Sequence, residues 1–192
     1  MRLYDRHGQR KYLTPAERRE FRHAAEGAPE EVRTFCGTLA YTGCRISEAL
    51  ALTAARVDLG DGVVVIESLK KRREGVYRAV PVPPLFLDAL DLTHDLRAAR
   101  SQPDGGAGIR LWAWSRATAW RRVRGVMETA GIAGLHAMPK GLRHGFGIKA
   151  VASNVPITLV QRWLGHADLS TTSIYLDAVG PEEKQIAERM WD

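Results

Sequence analysis

Cysteine is scarce in this chain: Cys36 and Cys44 are the only two among 192 residues. They form neither a CxxC pair nor a disulfide framework, so a reducing cytosol is the expected setting. Their expected role is packing among helices, the usual habit of free thiols. Long apolar runs are missing too, and no stretch approaches the roughly 20 residues that a membrane-spanning helix needs. The start, Met1-Arg2-Leu3-Tyr4-Asp5-Arg6, leads into no hydrophobic segment, so no secretory signal peptide is expected. The sequence has no internal repeat, no low-complexity linker, no P-loop, no HExxH and no GxSxG. Nor does it hold a close carboxylate cluster of the kind two-metal nucleases use. Secreted scaffolds, membrane proteins and the commonest nucleotide and hydrolase chemistries are thereby set aside.

What is present is ordinary globular material, 45% hydrophobic and 26% charged, enough for one well-buried domain. The charge is not neutral. Lys and Arg number 28 against 22 Asp and Glu, a formal net charge of +6. A basic domain is suited to polyanions, of which nucleic acid is the common one. The cations are clustered. Lys70, Lys71, Arg72, Arg73 and Arg78 share a stretch with a single acid, Glu74, and Arg116, Arg121, Arg122 and Arg124 surround Trp120. The tail turns acidic, with Asp177, Glu182, Glu183, Glu188 and Asp192.

Caps mark the helices. Thr14-Pro15-Ala16-Glu17 combines a capping box with proline in the first turn, predicting a helix to about Gly27. Pro29-Glu30-Glu31 opens a second, closed by Gly43, and Ile46 to Leu52 forms a short third. The period then changes. Val57–Leu59, Val63–Ile66 and Val76–Val82 read as three short antiparallel strands, with the basic loop Lys70 to Gly75 between the second and third. Leu85 to Arg100 reads as one amphipathic helix, and Ser101 to Gly108 as a flexible loop. Further helices are predicted from Ser115 to Ala130, from Pro139 to about Ser153 and from Pro156 to near Gly165. Ser170-Thr171-Thr172 caps a short one containing Tyr175, and Pro181 opens the last. The fold class is α+β, mostly helical, with a small three-stranded sheet.

Three segments stand out: Thr42-Gly43-Cys44-Arg45-Ile46-Ser47-Glu48-Ala49-Leu50, Lys140-Gly141-Leu142-Arg143-His144-Gly145, and Leu164-Gly165-His166 with Thr171-Thr172 and Tyr175 after it. In this order and spacing they resemble the tyrosine recombinases, the phage-integrase family of site-specific DNA recombinases, from about Thr14 to the end of the chain. Physical chemistry agrees with that resemblance. Phosphodiester transfer without a metal needs cations on the non-bridging oxygens, where charge builds up. Arginine, always charged and planar, suits this, which singles out Arg45 and Arg143. Tyrosine can form a phosphate ester and leave again, since phenolate is a better leaving group than alkoxide. Tyr175 is the candidate nucleophile and His166 a hydrogen-bond donor to the phosphate.

The resemblance further implies a hairpin lysine that protonates the leaving 5′-oxygen. Lys70 is the choice, with Lys71 as its rival. Lys71, Arg72, Arg73 and Arg121 are expected to contact DNA phosphates. Where the family usually has a histidine, three residues before the second arginine, this chain has Lys140, which can still donate to a phosphate oxygen. His144 is expected to brace its helix and to point away from the face of Lys140. The implied activity is cutting and rejoining DNA through a 3′-phosphotyrosyl intermediate, without metal, ATP or other cofactor. A relaxing enzyme like the type IB topoisomerases and a non-catalytic DNA-binding protein on the same scaffold are the alternatives. The implied partners are double-stranded DNA and further copies of the chain, four in a recombination synapse, in the cytoplasm and without a membrane. Residues 1–13 read as an N-terminal extension, 14–180 as the catalytic domain and 181–192 as a tail helix that folds back or docks on a neighbour. The separate N-terminal DNA-binding domain usual in the family is not expected within these residues, so the chain reads as either a catalytic-domain-only recombinase or a fragment of a longer one.

Overall fold

The structure is a computed structural model and describes residues 3–69, 75–176 and 187–191. Helix α1 (Pro15–Glu26) starts where its cap demands. The Glu17 N–H donates to Thr14 Oγ1 at 3.2 Å, and the Thr14 N–H donates to Glu17 Oε2 at 2.9 Å. Such a cap contributes about 1 kcal/mol. Helix α2 (Glu30–Thr42) stops at Gly43, whose φ of 62° is left-handed. After α3 (Ile46–Leu50) and a 3₁₀ turn at Ala54–Arg56 come β1 (Val57–Asp58), β2 (Val63–Glu67) and β3 (Tyr77–Pro81). They form an antiparallel sheet in the order β1-β2-β3, with Val64 opposite Val80 and Ile66 opposite Arg78. Pro81 ends an edge strand, where its missing N–H costs no central ladder bond.

Helices α4 (Pro84–His94) and α5 (Leu96–Arg100) replace the single helix expected over Leu85–Arg100. The break is Asp95, in the left-handed region with φ 47°. Leu96 lies six residues after the buried Leu90, so an unbroken helix would turn it well away from the core-facing stripe. The break re-aims α5, and Leu96 and Ala99 become buried. The segment read as a flexible loop, Ser101 to Gly108, is wound into turns. The Asp104 carboxylate accepts from the N–H groups of Gly106 (2.9 Å) and Gly108 (2.8 Å).

Helices α6 (Arg116–Thr129), α7 (Pro139–Ala152) and α8 (Ile157–Leu164) follow the expected caps: Ser115 accepts from Thr118, and Gly165 closes α8 at φ 64°. Helix α9 (Ser170–Ser173) ends before Tyr175, which sits in the turn beyond it rather than within the helix as expected. The proposed tail helix 181–192 is described only over 187–191, where Glu188–Met190 form a 3₁₀ turn and Met190 and Trp191 are exposed.

Two apolar clusters hold the chain together. The larger joins α1, α2, the sheet, α4 and α6 around Phe21, Phe35, Leu52, Trp112 and Met127. Cys36, in α2, and Cys44, just past it, are buried there, and desolvation pushes their thiols up to about 12 and about 11. The smaller cluster packs Leu3 and Tyr12 of the N-terminal segment against Ile148, Val160, Leu164 and Tyr175. Among the described residues no helix is long and apolar enough to cross a membrane.

Candidate active site

A cleft of about 580 Å³ opens between the start of α3, one face of α6, the start of α7 and the segment after α8. Arg45, Lys140, Arg143 and His166 all line it. The structure therefore brings together four of the six residues singled out as catalytic. No carboxylate lines the cleft among the described residues. The first turn of α7, Met138 to Lys140, also faces it, adding the positive end of a helix dipole.

The two arginines of the set are held from behind. Arg143 is almost fully buried; its Nη1 donates to Gly43 O at 2.8 Å and its Nη2 to Leu164 O at 2.6 Å. Both acceptors sit at helix ends, where carbonyls lack helical partners. The remaining guanidinium N–H groups are available to the cleft. Burial first, and then the charge of Arg45, lowers the Arg143 pKa to about 10, so it stays cationic at neutral pH. Arg45 donates from Nη1 to Glu48 Oε1 at 2.6 Å, and its backbone N–H donates to Glu48 Oε2 at 2.9 Å. Burial would raise the Glu48 pKa, but the charge of Arg78, the Arg45 N–H and the Arg45 charge together hold it below the usual value.

His166 is buried at the cleft wall, with Nδ1 2.9 Å from Thr172 Oγ1. Desolvation, then the charges of Arg143 and Arg45, bring its pKa down to about 3. A neutral imidazole that accepts from the Thr172 hydroxyl carries its proton on Nε2, leaving that N–H as a donor.

Tyr175 does not line the cleft. It is fully buried in the smaller apolar cluster, its ring stacked on His166 at 6.3 Å between centroids. Its hydroxyl lies 3.4 Å from Nδ1 of His144, at the long end of hydrogen-bond range. Burial pushes the phenol up to about 12, outweighing Arg143 and Arg45, which lower it. A Cβ on Gly147 would fall 2.5 Å from the Tyr175 ring, so only glycine fits beneath it. His144 is not directed away from Lys140 as expected. Four residues later on one helix is the same face, and the Lys140 charge adds to burial in lowering the His144 pKa to about 4.

Lys70, Lys71, Arg72 and Arg73 lie outside the described residues. Arg121 is exposed on α6 but does not line the cleft; its neighbours Trp120 and Arg116 do. Sequence reasoning named these two only within a basic cluster and not as site residues, and did the same for Arg78, which is buried and paired with Glu48 at 2.6 Å. One signal was available: the alternation in Tyr77-Arg78-Ala79-Val80 puts Arg78 on the inward face with Val80. Among the described residues no three His, Cys, Asp or Glu side chains converge as a metal-ligand group.

Comparison with known proteins identifies the family. A family model described as the phage integrase family matches residues 11–179. The tyrosine recombinase XerD of Pseudomonas aeruginosa is 33% identical over 151 residues, covering 74% of this chain and 48% of the relative. XerD of Mycobacterium tuberculosis is 35% identical over 145 residues, covering 70% of this chain and 43% of the relative. The chain thus spans about half the length of the curated relatives it matches. Among solved structures, the XerA recombinase superposes with a TM-score of 0.75 at 25% identity, over 93% of this chain and 62% of that one. XerH bound to its difH substrate gives a TM-score of 0.73 at 20% identity, over 98% of this chain and 60% of that one. With the family model covering most of its length and these relatives above 30% identity, the chain belongs to the phage integrase family.

Proposed function

We propose that this chain is the catalytic domain of a site-specific DNA recombinase that works through a covalent tyrosyl intermediate. The observation that carries the reading is the cleft: Arg45, Lys140, Arg143 and His166 converge with no carboxylate among the described residues that line it, and Tyr175 is stacked behind His166. Such a cleft fits a phosphodiester whose charge rises during reaction. In this reading the Tyr175 oxygen attacks the scissile phosphorus as the bond to the 5′-oxygen breaks, and the phenolic proton passes to solvent. Arg45 and Arg143 hold the non-bridging oxygens, and His166 and Lys140 donate to them. Lys70, or Lys71 beside it, gives the 5′-oxygen its proton. A free 5′-hydroxyl then reverses the step on the partner strand. The ester conserves the bond energy, so ATP is not consumed. The turn carrying Tyr175 must move outward when DNA binds, because in this structure its hydroxyl faces His144.

The partners in this reading are duplex DNA and, for complete exchange, four copies of the chain. DNA-bound relatives such as XerH with difH support the first, and the exposed Met190 and Trp191 of the tail are compatible with the second. The test is a nicked suicide duplex carrying the recombination site. A covalent protein–DNA adduct mapped to Tyr175 supports the reading; an adduct on Tyr41 or Tyr77, or none at all, overturns it.

A further inference from the structure

Arg78 stands at an inward position of an edge strand, 5% exposed, where a charge is costly unless several groups compensate it. Its guanidinium makes three good hydrogen bonds. Nη2 donates to Glu48 Oε2 at 2.6 Å, Nη1 to Ser68 Oγ at 2.9 Å, and Nε to the Trp163 carbonyl at 2.7 Å. Two of the acceptors belong to segments carrying residues that line the cleft, and the third lies just past β2. Glu48 is fully buried and grips the Arg45 side chain and backbone. Ser68 precedes Lys70 by two residues at the end of β2. Trp163 is next to Leu164, whose carbonyl anchors Arg143, and three residues before His166. Gly165 completes the contact: a Cβ there would lie 2.9 Å from Arg78 Nη1. The hydrogen bonds span 30, 10 and 85 residues of sequence separation, so one side chain sets the spacing of three distant segments.

We infer that Arg78 is a positioning residue for the phosphate-binding cleft, fixing Arg45 through Glu48 and setting Ser68, just past β2, and the α8 end in register with it. Arg78 itself does not line the cleft. Lysine cannot take its place, because one ammonium cannot reach three acceptors held in the planar fork of a guanidinium. The inference rests on the function proposed above.

The experiment uses the full chain on nicked suicide duplexes. One carries an ordinary scissile phosphodiester and the other a methylphosphonate at that position. The methylphosphonate is neutral, so it needs far less from a cation that neutralises a non-bridging oxygen. Adduct formation is followed in single turnover at several protein concentrations, which separates DNA affinity from the chemical rate. Arg78→Lys is expected to bind DNA with nearly unchanged affinity while its chemical rate on the phosphodiester falls by about tenfold to a hundredfold, the scale of a misplaced catalytic group. On at least one methylphosphonate diastereomer its rate should approach that of the unsubstituted chain. Equal losses on both substrates, or no loss on either, overturn the inference. Should Arg78→Lys fail to fold by circular dichroism, Glu48→Gln is held to the same pattern, and equal losses there overturn it as well. If the unsubstituted chain forms no adduct on either duplex, the proposed function and the inference fall together. An adduct at Tyr175 with equal losses in the variant removes only the inference.

Discussion

The cleft and the smaller apolar cluster behind it share a wall at His166, yet they are built on opposite principles. In the cleft, charge is exposed on one side and tethered on the other: Arg143 by two carbonyls, Arg45 by Glu48. These groups need little rearrangement to meet an anion, which is how fixed dipoles and charges are most effective. Behind the wall, Tyr175 is packed with Leu3, Tyr12, Ile148 and Val160, His144 lies against its ring, and burial holds both in their neutral forms. The difference teaches that the parts of this site are prepared unequally. The proposed phosphate-binding groups are in place, whereas the proposed nucleophile is stored as a core residue with its acidity suppressed.

The largest break in this comparison comes from removing one oxygen. Tyr175→Phe should leave DNA binding nearly intact, measured by mobility shift, while the covalent adduct disappears. A surviving adduct would move the nucleophile elsewhere. Next, Lys140→Ala should slow adduct formation by roughly tenfold to a thousandfold, the range for losing one donor to a developing charge. Lys140→His should keep substantial activity, because histidine can donate at the same place. An alanine variant as fast as the parent would take Lys140 out of the site.

Gly147→Ala tests the storage side. Its new methyl would collide with the Tyr175 ring, so urea unfolding should show a loss of about 1–3 kcal/mol, the usual cost of overpacking a core. Unchanged stability would mean that the tyrosine is held loosely. The smallest effect concerns pH. His144 and His166 have folded pKa values of about 4 and about 3, below the ordinary 6.5 of the unfolded chain. The unfolded chain therefore binds more protons in this range, and stability falls as the pH drops below about 6.5 toward these folded values. His144→Gln should flatten that slope in urea titrations between pH 6.5 and 4; an unchanged slope would show that His144 titrates normally in the folded protein.

Much of the site was legible because its chemistry depends on residue type and short spacing. Arg45 beside a glycine-closed helix, Arg143 one turn after Lys140, and His166 after Leu164-Gly165 are local patterns, and all four side chains line one cleft. The helix caps were equally local: Thr14 with Glu17, Ser115 with Thr118, and Gly43 and Gly165 at positive φ. The bend at Asp95 was not legible, because the burial of Leu96 depends on what α5 packs against and not on its own periodicity. Trp120 and Arg116 rather than Arg121 face the cleft because α6 is rotated by its buried side, Ala119, Val123 and Met127.

By itself the sequence determined the residue types at the cleft, the order of the elements and the places where helices start and stop. These follow from side-chain chemistry and from hydrogen bonds made within a few residues. Only the tertiary structure decided that Glu48 would sit between Arg45 and Arg78, that Arg78 would reach Ser68 and Trp163, and that Tyr175 would lie under Gly147 beside His144. Those contacts join segments separated by up to 85 residues. Their geometry is set by how buried faces pack, and a buried charge or hydroxyl takes whichever partner that packing brings within reach.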